Sequence, residues 1–190
     1  GVHGITAIGA TNCMFRGYTL RRAGNWAHHF RLGNGLRFEN VTVEAGHDGV
    51  HLRACDRVDI VGCTFRTGDD SIAGFDNTDV HVRDCDISSA CSAFRFGGRR
   101  VLIERCRLHG PCVHPFRGSL DRKQKEEGAD GEGRHNMLSL FTYFSMKGFG
   151  IRQNAGEIVL RDVVVEGADR FLQYNYSGNE VWSSGVPLTD

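Results

Sequence analysis

One eight-residue frame recurs along the chain at nearly constant spacing, and it limits the possible folds more than any other feature. Leu36–Val43, Val58–Phe65, Val80–Ile87 and Val101–Leu108 begin at residues 36, 58, 80 and 101, which are 22, 22 and 21 residues apart. Cys13–Leu20 is an upstream copy and Ile158–Val165 a downstream one. A fixed period of this size signals a solenoid built from stacked, similar units. Each copy reads apolar–x–apolar–x–turn–apolar–x–apolar. Its period-two alternation is that of a half-buried strand. The frame turns Phe38, Ile60, Val82, Ile103 and Leu160 inward, and Glu39, Val61, Arg83, Glu104 and Arg161 outward. Asn40, Gly62, Asp84, Arg105 and Asp162 occupy its turn position, mostly turn-forming residue types.

A further apolar stretch follows in each copy: Val50/Leu52, Ile72, and Phe94/Phe96. Three short strands in about 22 residues make one coil of a parallel β-helix. The expected fold is therefore all-β, a right-handed parallel β-helix over residues 1–190 as a single domain. Leucine-rich repeats have a similar period but need a Leu-x-x-Leu-x-Leu frame, which is absent. One coil cannot bury its own face, so stability must come from stacking. Residues 118–136 are glycine-rich and charged with almost no apolar content, and are expected to form an exposed inserted loop. Another coil is expected within 137–156. The chain starts without Met, inside a repeat, which suggests an excerpt of a longer protein.

Composition narrows function by exclusion. Lys+Arg and Asp+Glu each number 23, so no nucleic-acid partner bound mainly through phosphates is expected. No apolar run approaches the ~18–20 residues of a membrane span. Residues 1–10 lack the basic and apolar regions of a secretion signal. Seven cysteines are present. Cys63, Cys85 and Cys106 share one position in successive coils, which suits a reduced ladder of small hydrophobes. No C-x-x-C spacing points to a metal, and neither metal nor cofactor is expected.

The candidate chemistry lies at the start of the third strand in two consecutive coils. Asp48 and Asp70 are one period apart, and Asp69 adjoins Asp70. Three carboxylates then converge on one edge of the solenoid. Like charges so close raise at least one pKa, which keeps a carboxyl protonated for general-acid work. Coil spacing can set carboxyl groups roughly 6.5–9.5 Å apart, the range of an inverting glycosidase. The competing explanations are that these Asp residues only make turns, or that they bind calcium. His51 and Arg95 face outward on one strand stack, two coils apart, and can grip sugar hydroxyls or a uronate carboxylate; a solvated basic stripe is the plainer account. His47 either leans on Asp48 or is a loop residue. Tyr174, Tyr176 and Trp182 either stack on sugars or cover the end of the core.

Asp48-Gly49-Val50, followed one coil later by Gly68-Asp69-Asp70-Ser71-Ile72-Ala73, resembles the signature of glycoside hydrolase family 28, the polygalacturonase-like β-helix enzymes. The resemblance implies an extracellular or periplasmic monomer that acts on a pectin-like polysaccharide, with no cofactor. It assigns the general acid to Asp69 and activation of water to Asp48 and Asp70. The departures matter. Gly46-His47 replaces the family's Asn-Thr, Ser92 stands where its His belongs, and Arg152 survives from an Arg-x-Lys pair without the Lys. His47, His51, Arg95 and Arg152 are the candidate substrate-binding residues. A non-catalytic glycan-binding or adhesion β-helix and a polysaccharide lyase are the alternatives.

Overall fold

A computed structural model describes residues 1–116, 118, 123, 133–146, 155–174 and 186–189. Every strand pairing in it is parallel. The sequence frame maps directly onto one ladder, in which Cys13, Leu36, Val58, Val80, Val101 and Ile158 are successive Cα partners. This is the first face. The second face is a six-stranded sheet that carries Leu20, Val43, Phe65, Ile87, Leu108 and Val165. The third face stacks Ile5, His28, Val50, Ile72, Phe94, Phe141 and Leu172. Faces one and three belong to one eleven-stranded sheet, because strands Ile72–Arg83 and Ser92–Glu104 run through the corner between them.

The corners show how local sequence permits the coil. Gly17, Asn40, Gly62, Asp84, Arg105 and Asp162, all at the turn position of the frame, have φ of 67°, 52°, 61°, 56°, 50° and 52°. Each coil thus turns through one left-handed residue. Gly takes this conformation freely and Asn or Asp readily, whereas other residues lose about 1–2 kcal/mol. Arg105 offsets that loss through its charge, since its Nε donates to Asp84 Oδ1 of the preceding coil at 2.8 Å. Arg100 and Asp79, left-handed at the next corner position, pair in the same way at 2.6 Å. At the bend between faces three and one, Gly74 has φ of 136°, and a Cβ there would lie 1.8 Å from the Leu52 carbonyl oxygen. Asn77 completes this bend: its Oδ1 accepts from Cys55 N–H at 2.9 Å and its Nδ2 donates to Leu52 O.

The interior is one continuous column. Phe38, Ile60, Val82 and Ile103 are buried as expected, and Leu160 packs against them partly exposed. Full burial of side chains of this size contributes about 1.5–3 kcal/mol each. Cys63, Cys85 and Cys106 are buried free thiols. The coil expected over 137–156 supplies strand Ser139–Tyr143, paired on the third face with Ser92–Glu104. Tyr174 packs on the buried Tyr143 with ring centroids 5.2 Å apart, so it covers the end of the core. Tyr176, Trp182 and residues 119–122 and 124–132 of the 118–136 insertion lie outside the described residues. No helix among the described residues is long and apolar enough to cross a membrane.

Candidate active site

The third face gathers the candidate residues because its ladder keeps Trp26, Asp48, Asp70 and Ser92 in line. The backbone N–H of Ala27, Gly49 and Ser71 donates in turn to the carbonyls of Asp48, Asp70 and Ser92. Ser92 therefore occupies the next rung after Asp70, as the repeat implies. Three residues further along, His29, His51, Ala73, Arg95 and Thr142 form another line across the face. Asp48, Asp69, Asp70 and Arg95 all line one cleft of about 460 Å³, to which Phe116, Arg134 and Leu138 also contribute.

Asp69 is set by its backbone. Its carbonyl accepts from Thr67 Oγ1 at 2.9 Å and from Ser89 Oγ at 2.7 Å. Its Oδ1 accepts the Asp70 N–H at 3.1 Å. Burial, and then the charge of Asp70, raises the Asp69 carboxyl to about 6. Asp70 uses both oxygens: Oδ2 accepts from Arg95 Nε at 2.6 Å and Oδ1 from Ser92 N–H at 3.1 Å. Arg95 in turn lies with its guanidinium carbon 4.2 Å from the centre of the Phe144 ring.

Asp48 has a different partner. His51 Nδ1 lies 2.8 Å from Asp48 Oδ2, and both residues are almost fully buried. Arg53 Nε donates to His51 Nε2 at 3.3 Å. A guanidinium has no acceptor, so Nε2 must accept. The ring proton then sits on Nδ1 and is donated to Asp48. Burial, followed by the charges of Arg53 and Arg95, pushes the His51 imidazole well below its ordinary range, in keeping with a neutral ring. Burial, then Asp70 and Asp69, pushes the Asp48 carboxyl well up. Trp26 closes this pair off by stacking on His51 at 3.8 Å with planes 4° apart.

The structure thus brings Asp48, Asp69, Asp70, His51 and Arg95 together, with employments that differ from a simple open cluster. Asp48 and Asp70 are each 2% exposed, and Asp69 is the half-buried member. His51 sits beneath Trp26 with 1% exposure, so it orients Asp48 where a direct sugar contact was expected. Arg95 is occupied by Asp70 where it was expected to grip substrate. His47 is half-buried and is not among the residues that line the cleft. Arg152 lies outside the described residues.

Asp69, Asp70 and Cys91 each bring one oxygen or sulfur within 4.8 Å of the others. The three donors mix a soft thiol with hard oxygens, and burial holds the Cys91 thiol up, in its protonated form. Trp26, Thr142, Phe116 and Arg134 were not anticipated. Trp26 falls 22 residues before Asp48, so extending the period by one coil finds it. Thr142 pairs with Arg95 across the insertion, 47 residues on, where the period does not reach. No pattern in the sequence points to Phe116 or Arg134.

Residues 3–111 match a family described as the right handed beta helix region. The chain belongs to the right-handed β-helix family. Its solenoid of coils roughly 22 residues apart is the architecture that family describes. The β-helix family includes glycosidases and lyases, and its fold is common to polysaccharide-acting enzymes and binding proteins. Comparison with curated proteins and with solved structures gives no match.

Proposed function

We propose that the chain is an inverting glycoside hydrolase of the family 28 type, acting on a pectin-like or related polysaccharide. The observation that carries this reading is the half-buried Asp69 in a cleft it shares with Asp48 and Asp70, its carboxyl raised to about 6. A carboxyl so placed holds a proton near neutrality and faces space for a sugar, as a general acid must. Asp69 gives its proton to the glycosidic oxygen as the bond from that oxygen to the anomeric carbon breaks. Water attacks the anomeric carbon from the opposite side, and its proton passes to Asp48 in its ionised form, to which the His51 N–H donates; the raised carboxyl makes that form the stronger base. Proton exchange with solvent restores both groups. Asp70 has both oxygens engaged, by Arg95 and the Ser92 N–H, so its part is to hold Asp69 in the protonated form and to fix Arg95. Because Arg95 is already committed to Asp70, it does not suit the role of a lyase base.

A second reading, a non-catalytic glycan-binding β-helix, is favoured by Ser92 at the position of the family's His and by the deep burial of Asp48 and Asp70. Asp69→Asn separates the two, since it keeps the shape and removes the proton. It should lower hydrolysis of natural glycans by about 10²–10⁴ and cost much less with activated aryl glycosides, whose leaving groups need little protonation. Full activity in Asp69→Asn, or glycan binding without turnover in the unsubstituted chain, contradicts the hydrolase.

A further inference from the structure

The outward side of the third face changes character one coil before the carboxylates. There the lines His29–His51 and Arg31–Arg53 stack side by side. Elsewhere on the solenoid, arginines on the stacked lines meet acids: Arg37 meets Asp59, Arg100 meets Asp79, and Arg105 meets Asp84. Among the described residues, no carboxylate forms an ion pair with Arg31 or Arg53. Arg53 instead lies 5.5 Å from the Trp26 ring centre and 5.4 Å from that of Phe75. Burial, then the charges of Arg31 and Arg95, weakens its hold on its own proton. His29 has both ring nitrogens shielded from solvent and without a hydrogen-bond partner, and His3 Nδ1 beside it is the same. Unmet buried donors and acceptors cost free energy that a bound group recovers. The adjacent guanidinium groups of Arg31 and Arg53, which repel one another and, among the described residues, pair with no carboxylate, call for an anion that accepts hydrogen bonds.

Trp26 joins this patch to the cleft. It lines the cleft, stacks on His51 and carries Arg53 over its ring. Within the cleft itself an acidic group meets three carboxyl side chains and an Arg95 already held by Asp70. The charge of an acidic polymer threaded along the third face is better met one coil toward the N-terminus.

We propose that Arg31 and Arg53 form an anion subsite that holds the carboxylate or sulfate of a sugar residue next to the one at the Asp cluster. This rests on the glycan reading above for the sugar, and on the patch alone for the anion. The first test uses simple anions on the full chain, with chloride at equal ionic strength as reference. Sulfate and glucuronate should raise Tm, and Arg31→Gln and Arg53→Gln should each remove most of the rise. The second titrates oligosaccharides of uronic acid, of sulfated sugar and of neutral sugar into the Asp69→Asn chain by calorimetry. Arg31→Gln should weaken the acidic glycan about tenfold and leave a neutral one unchanged, and Arg53→Gln, which also touches His51, should weaken the acidic glycan at least as much. Whichever acidic glycan binds identifies the anion as carboxylate or sulfate. A Tm response indifferent to both substitutions, or equal losses for neutral and acidic glycans, overturns the subsite. Anion binding through Arg31 and Arg53 with no glycan bound or cleaved removes the hydrolase reading and leaves the anion site. Glycan cleavage with both substitutions silent does the reverse.

Discussion

Arg95 Nε donates to Asp70 Oδ2 across 2.6 Å, and the carboxylate it meets is 2% exposed. The two residues are 25 apart in the chain and in successive coils, so the fold alone brings them together. Breaking such a pair by removing one partner strands a buried charge, which costs roughly 3–5 kcal/mol. Arg95→Met should therefore lower the free energy of unfolding in urea by about 3 kcal/mol or more. The double substitution Arg95→Met with Asp70→Asn should lose less than the single one. A single-variant loss below about 1 kcal/mol, the worth of an exposed pair, shows that water still reaches Asp70.

The acid carries a pH signature. Asp69 is raised to about 6 by burial first and by Asp70 second. The folded chain therefore binds this proton more tightly than the unfolded one. Its contribution to stability is fully present below the ordinary Asp range and is lost as pH rises through about 6. Hydrolysis that needs the protonated acid falls over the same interval. The pH profile of kcat/KM on a natural glycan should have its alkaline limb near 6. Asp70→Asn removes the second cause, so the limb should move to lower pH in whatever activity remains. A limb unmoved by Asp70→Asn separates Asp69 from Asp70 electrostatically.

The core prediction concerns packing. Phe65 is 1% exposed and lies on the second-face ladder between Val43 and Ile87. Phe65→Ala leaves a cavity between coils that stacking holds apart, and should cost about 3–5 kcal/mol in denaturant unfolding. Thiol titration bears on the same interior. Cys63, Cys85 and Cys106 should be unreactive in the native chain and react as free thiols in denaturant. Finding any of them already oxidised contradicts the ladder.

The solenoid was legible in the sequence because its register is set by side-chain period. A slip of one residue would turn Phe38, Ile60, Val82 and Ile103 outward together, so the frame admits a single alignment. The same period brought Asp48 and Asp70 into line and put Ser92 on the next rung. It was silent on what the outward side chains do once aligned. Arg95 lines the cleft and His51 lies on the same ladder beneath Trp26, but whether a cation meets a substrate or a neighbouring carboxylate depends on depth of burial, which periodicity does not encode. Trp26 covers His51 from a coil whose frame is weaker. Phe116 precedes the inserted segment and Arg134 lies near its end, where the period breaks off and carries no information.

Inversion at the anomeric carbon is the most direct consequence of a proton donor and a water-activating carboxylate acting on opposite sides of one sugar. Proton NMR of the first product formed, recorded before mutarotation, reads it in a single experiment. The expected product is a free reducing sugar with configuration opposite to that of the cleaved bond, formed about 10²–10⁴-fold more slowly by Asp69→Asn. A product that keeps its configuration, or an unsaturated sugar that absorbs in the ultraviolet, contradicts it.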